Sequence, residues 1–160
     1  MMMSANNPLS PEHFPGVTFD LTDAPDRADI SLVEENLILF NEKGSLAYDK
    51  RPLCIFVRNE TGRTLGGVTG YTNWGALYLD CFWLPEEIRS IGGAGSHILD
   101  MAETEARKRG CSQARLYTYS FQAPAFYIAR GYEIFGELPD YPPGHSQIWF
   151  KKSLCERNAQ

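Results

Sequence analysis

Hydrophobic and polar residues change period several times along this chain, and each change predicts an element. Val17, Phe19 and Leu21 alternate with Thr18 and Asp20, which predicts a short strand over residues 17–21. Ile30, Val33, Leu37 and Phe40 then recur at helical spacing, with Pro25 where the helix would begin, Asp23 as its expected cap and Gly44 at its end. Apolar runs over residues 53–58 and 65–72, joined by the turn Asn59-Glu60-Thr61-Gly62, predict a hairpin. Gly66, Gly67 and Gly70 weaken its second strand but let another backbone or a ligand come close. After a turn at Asn73-Trp74-Gly75, residues 76–84 form the most apolar strand of the chain, and Pro85 stops it. The glycine cluster Gly92-Gly93-Ala94-Gly95 leads into a helix ending before Gly110. Ile98, Leu99, Ala102 and Ala106 are expected on its inner side, with Glu103–Arg107 and Glu105–Arg109 as ion pairs on the outer side. Residues 114–119 read as a strand, 124–130 as a short helix closed by Gly131, and 132–136 and 147–152 as the last strands.

The resulting order is β-α-β-β-β-α-β-α-β-β, an α/β (α+β) chain. Its central strand–helix–strand unit requires a parallel pair, and the hairpins on either side make the sheet mixed. The 160 residues fit one domain of the usual ~100–200 residues. Residues 16–154 are expected to form it, with 1–15, rich in Asn, Pro and Ser, as a flexible lead-in and 155–160 as a tail. Hydrophobic residues make up 43% and charged ones 22%, ordinary values for a globular protein.

A net charge of -5 gives no basic field for nucleic acid and mildly favours a cationic acceptor. Cys54, Cys81, Cys111 and Cys155 are widely spaced, contain no C-x-x-C pair and do not suggest a metal site. Three lie in or beside apolar segments, so buried free thiols are expected. Neither a leader peptide nor a run near the ~18 apolar residues of a membrane span is apparent, and the cytoplasm is the expected location.

The strongest chemical feature is the run from strand through Arg89 and the glycine cluster into a helix. Glycines let backbone N–H groups face an anion, the helix start adds about half a positive charge, and Arg89 adds a full one. A plain flexible loop capping the helix is the competing account. Walker A chemistry is excluded, because Ser96 and His97 follow Gly95 and no lysine is present. A dinucleotide fingerprint also fails, because Ile98 stands where its third glycine belongs.

Arg89-Ser90-Ile91-Gly92-Gly93-Ala94 resembles the Arg/Gln-x-x-Gly-x-Gly/Ala pattern of the GNAT superfamily of N-acetyltransferases. Phe126-Tyr127-Ile128-Ala129-Arg130-Gly131-Tyr132 is similar to that family's Phe-Tyr-x-x-x-Gly-Phe/Tyr, at the right distance downstream. The resemblance covers essentially all of the chain after residue 16. Aligned from the helix side, Gly93-Ala94-Gly95 fits the family glycines better and the loop carries one extra residue. Ser120 stands where many members have an asparagine.

The resemblance implies direct transfer from acetyl-CoA, used as a co-substrate without a metal, to a primary amine. Pantetheine would lie between two splayed strands against the backbone of Phe82, Trp83 and Leu84. The loop of Arg89, Ser90, Ile91, Gly92, Gly93, Ala94, Gly95 and Ser96 would hold the pyrophosphate, with Ser120 as a further cofactor contact. Tyr127 occupies the family position that protonates the departing thiolate. An alkyl amine with a pKa near ~10.4 needs a base, for which Asp80 is the first candidate and Glu86 and Glu87 weaker ones. Asp80 could equally serve a structural hydrogen bond or ion pair. His145, Trp74, Tyr117 and Tyr119 border the acceptor pocket or, alternatively, pack in loop and sheet. The acceptor is a small-molecule or peptide amine, with no nucleic acid or membrane partner, and exposed edge strands are compatible with a homodimer. Transfer of a longer acyl group and a non-catalytic CoA-binding role are the alternatives.

Overall fold

A computed structural model describes residues 16–155; the expected lead-in and most of the expected tail lie outside the described residues. Two compact units emerge, one reaching to Gly44 and the other beginning at Ser45. The first contains helix α1, Arg27–Gly44. Its start differs from the expected one: Asp26, not Asp23, accepts the Ala28 N–H at 2.8 Å. Asp29 in the first turn and Lys43 in the last complement the helix dipole. Residues 17–21 form no strand. Five alternating residues supply a strand's side-chain pattern but not the neighbouring edge whose hydrogen bonds make a strand.

The second unit is a six-stranded mixed sheet in the order β1-β2-β3-β4-β6-β5. Its strands are β1 (Arg51–Arg58), β2 (Thr64–Asn73), β3 (Ala76–Trp83), β4 (Gln113–Tyr119), β5 (Glu133–Pro139) and β6 (Ser146–Ser153). Helices α2 (Glu86–Arg89), α3 (Ala94–Lys108) and α4 (Pro124–Ala129) complete it; α2 is a single turn that no periodicity announced. Asn59 builds the β1–β2 turn by accepting the N–H groups of Thr61 at 3.1 Å and Arg63 at 2.9 Å. The β2 glycines serve close backbone approach: an added Cβ would sit 2.1 Å from the Ile55 carbonyl oxygen at Gly67 and 2.2 Å from that of Tyr78 at Gly70.

The core lies between the sheet and α3. Ile98, Leu99, Ala102 and Ala106 are all buried there, against Leu77, Leu116 and Phe150 among others. Glu105 and Arg109 pair at 2.8 Å, as the spacing predicts. Glu103 differs from expectation. It faces inward, is 2% exposed, and its carboxylate accepts two hydrogen bonds from Lys152 Nζ, at 2.8 and 2.7 Å, with Arg107 at 3.3 Å. The residue next to Ala102 on a helix rim can turn inward when a cation waits there; β6 supplies one, and a buried charge demands it. The thiols also depart from expectation: all four cysteines are free, but only Cys111 is buried. Cys54 follows buried Leu53 on β1, so strand alternation turns it to the other face.

Candidate active site

The site begins where two parallel strands part. β3 and β4 pair in register from Ala76 opposite Gln113 to Leu79 opposite Leu116, and the ladder then stops. Both strands continue, β3 to Trp83 and β4 to Tyr119, so the β4-facing backbone from Asp80 to Trp83 has no ladder partner. A bulge accompanies the parting. On the β2 side Thr69 faces Cys81 while Gly70 faces Leu79, which leaves Asp80 as the extra residue. Bulges bend a strand and re-aim a side chain. The opening between the strands is a cleft of about 870 Å³ that also reaches the starts of α3 and α4.

One end of the cleft gathers an arginine, a glycine turn and a helix start. Gly92 and Gly93 have φ of 79° and 77°, a region that favours glycine. Gly93 caps α3 without a side-chain bond, and the first helical hydrogen bond runs from the His97 N–H to the Gly93 carbonyl at 2.8 Å. The N–H groups of Ala94, Gly95 and Ser96 precede that bond, and all three residues line the cleft. Arg89 lines the same end; its partner Glu86 is an exposed carboxylate, and such surface pairs hold weakly. Gly95 leaves room for α4: a Cβ there would already touch the Phe126 ring at 3.4 Å.

The other groups come from β3 and α4. Pro124 starts α4, and Gly131, with φ of 81°, ends the turn behind it. Tyr127 is 8% exposed, lines the cleft, and packs against the rings of Phe126, Tyr132 and Phe150 at 5.2–5.9 Å. Burial pushes its phenol up to about 12, so it stays neutral and remains a hydrogen donor. Asp80 is exposed and lines the same cleft.

Of the residues singled out in the sequence, the cleft gathers Asp80, Phe82, Trp83, Leu84, Arg89, Gly93, Ala94, Gly95, Ser96 and Tyr127. Ser90, Ile91, Gly92 and Ser120 are outside its wall. The Ser90 hydroxyl donates to the Glu87 carbonyl at 3.1 Å, and the Gly92 N–H to the Arg89 carbonyl at 3.3 Å, so these residues shape the turn. Ser120 joins β4 to β6: its N–H donates to the Ser146 carbonyl at 2.9 Å and its oxygen accepts the Ser146 N–H at 3.1 Å. Tyr117 and Tyr119 line the cleft, whereas Trp74 sits in the β2–β3 turn and donates its indole N–H to the carbonyls of Leu46 and Ala47. His145 packs edge-on to Phe121 at 4.8 Å.

Cys81, Phe121, Gln122 and Phe126 also line the cleft, and sequence reasoning passed over them. Phe126 was there to find, inside the motif that contains Tyr127. Gln122 gives no such signal; its amide oxygen accepts the Thr118 hydroxyl at 2.8 Å and the Tyr119 N–H at 3.0 Å, pinning the turn into α4. Among the described residues no three His, Cys, Asp or Glu side chains cluster as metal ligands. An exposed carboxylate, a neutral phenol and a glycine-capped helix start line one cleft, an arrangement that can take up a proton, donate a hydrogen bond and face an anion.

The family model for the Acetyltransferase (GNAT) family matches residues 20–132. The chain is 37% identical over 110 residues to blasticidin-S acetyltransferase of Streptomyces morookaense, spanning 66% of this chain and 80% of the relative. It is 35% identical over 136 residues to an acetyltransferase of Agrobacterium fabrum, spanning 85% of this chain and 98% of that protein. Among solved structures, an acetyltransferase from Bacillus cereus superposes with a TM-score of 0.72 at 32% identity, covering 84% of this chain and 97% of that one.

Proposed function

The chain belongs to the GNAT acetyltransferase family, and on that premise we propose that it transfers an acetyl group from acetyl-CoA to a primary amine of a small molecule. One observation carries the proposal: the unpaired β3 backbone, the uncapped start of α3 and the Tyr127 phenol all open on a single cleft. These residues fit CoA. A pantetheine arm has amides that can pair with backbone at Phe82, Trp83 and Leu84, as an added strand does. The pyrophosphate suits the N–H groups of Ala94, Gly95 and Ser96 with Arg89 beside them. Ser90, Ile91 and Gly92 contribute by shaping the turn that presents those groups, and Ser120 by fixing the end of β4.

When bound, acetyl-CoA supplies a thioester carbon that the amine nitrogen attacks, so that a C–N bond forms and the C–S bond breaks with its electron pair on sulfur. Asp80 takes the proton that keeps the amine cationic and passes it to solvent on its exposed side. Tyr127, on the cleft wall, would meet the leaving sulfur. Its pKa of about 12 makes it a weaker acid than a thiol near ~8.5, so full ionisation is uphill. Tyr127 therefore acts chiefly as a neutral hydrogen-bond donor while charge develops on sulfur. The ammonium loses two protons in all; one ends on sulfur and one in solvent. The acceptor of the Streptomyces relative, blasticidin-S by its name, supports a small-molecule acceptor.

Mixing the protein with acetyl-CoA and a panel of primary amines tests the proposal, with free thiol and the mass of the amine followed together. Equal amounts of thiol and acetylated amine are expected for at least one acceptor. Thiol without acetylated amine, or neither with any amine, contradicts it.

A further inference from the structure

The β4 wall of the cleft is more aromatic than acetyl transfer requires. Tyr117 and Tyr119 leave β4 on one face, and Phe121 follows in the next turn; all three line the cleft. Tyr119 and Phe121 are stacked, with centroids 5.4 Å apart and planes 5° from parallel. Tyr117 meets Tyr119 edge-on at 5.8 Å. The β5–β6 loop adds Tyr141, 6.4 Å from Tyr119, and His145 against Phe121. Phe121, in the turn after β4, and Tyr141, in the β5–β6 loop, are 56% and 51% exposed, so their rings stay open to a ligand.

Charge is also sorted within the cleft. Among the described residues its one lining cation, Arg89, stands with the α3 glycines, whereas Asp80 stands on β3 beyond its last pairing with β4. Asp80 and Tyr119 are near enough to Tyr117 to help burial raise its phenol. A carboxylate near Tyr117, on a cleft that also holds the stacked Tyr119–Phe121 pair, complements a cation attached to a flat unsaturated ring. A purely aliphatic polyamine would call for several carboxylates, and among the described residues Asp80 is the one acidic residue lining the cleft.

We propose that the acceptor is an arylalkyl amine, its ring seated against Tyr119 and Phe121 and its amine presented to Asp80. This inference rests on the acetyl-transfer proposal and narrows it from primary amines to one class.

The test compares phenethylamine with cyclohexylethylamine, which has similar size and amine basicity but no π system. Thiol release is measured at saturating acetyl-CoA, and each amine is also titrated directly into the protein. The expected result is a kcat/KM about tenfold higher for phenethylamine, with tighter direct binding, as ring–ring contact would give. That ratio is expected to fall towards one in Phe121→Leu, and Tyr119→Leu provides a second variant should the first misfold. Equal rates for the two amines, a ratio unmoved in both folded variants, or no turnover of either amine by protein that binds acetyl-CoA overturns the inference. Failure to bind acetyl-CoA marks the failure of the transfer proposal instead, and the direct titrations still decide the aromatic preference.

Discussion

Tyr127 sits among rings and has no charged neighbour that would favour the phenolate, so desolvation alone sets its acidity. A phenol raised to about 12 is fully protonated wherever amines are substrates. Across the alkaline range, activity should therefore rise as the amine loses its proton and show no falling limb from Tyr127 below pH 11, roughly one unit under its shifted value. A loss of activity tracking a group near pH 9 or 10, about where an ordinary phenol titrates, would remove Tyr127 from this role. Tyr127→Phe keeps the ring packing and deletes the donor. Its kcat should fall about 100-fold, within the usual span for such groups, with acetyl-CoA affinity nearly unchanged. The same shift bears on stability. The unfolded chain ionises near ~10 and the folded one near 12, so this group's contribution is complete below about 10 and declines as pH rises through that window.

At the scale of elements, the cleft depends on a strand that is held on one side and freed on the other. β2 holds β3 closely because its glycines carry no Cβ. Gly70→Ala would drive a methyl group to 2.2 Å from the Tyr78 carbonyl oxygen, so something must move. The variant should lose about 1–3 kcal/mol, as overpacking typically costs, and a melting curve shifted down by several degrees checks it. An unshifted curve would mean the strands can slide apart at little cost. Much of this was legible in the sequence. The hairpin, the apolar strand ended by Pro85 and the inner side of α3 announced themselves by spacing, and the ring-and-glycine run around Tyr127 by its resemblance to a family motif. Other features depend on partners distant in sequence. The Asp80 bulge is a mismatch between β2 and β3 and leaves no mark in either strand alone. Glu103 has the spacing of a surface ion pair, and only the arrival of Lys152 from β6 explains its burial. The expected strand at residues 17–21 fails for the converse reason, a pattern without a paired edge.

For the molecule as a whole, the proposed reaction asks an acidic chain to bind an anionic donor, which calls for a local device rather than a basic surface. The net charge is -5, yet the cleft places Arg89 and free helix N–H groups together and keeps Asp80 on its facing strand. The account therefore requires the donor site to be specific and confined to the start of α3. No described helix is long and apolar enough to cross a membrane. The most direct measurement is a calorimetric titration of the protein with acetyl-CoA, with NAD as a control and Gly93→Trp in parallel. Nothing lies within 4 Å of a Cβ added at Gly93, so the indole would occupy the mouth of the anion end, although its φ of 77° adds local strain. Saturable binding of about one acetyl-CoA per chain, no binding of NAD, and at least roughly tenfold weaker binding by a folded Gly93→Trp protein are expected, since the N–H donors at the helix start would be crowded. No acetyl-CoA binding by folded wild-type protein, or the same affinity in the variant, would contradict the account.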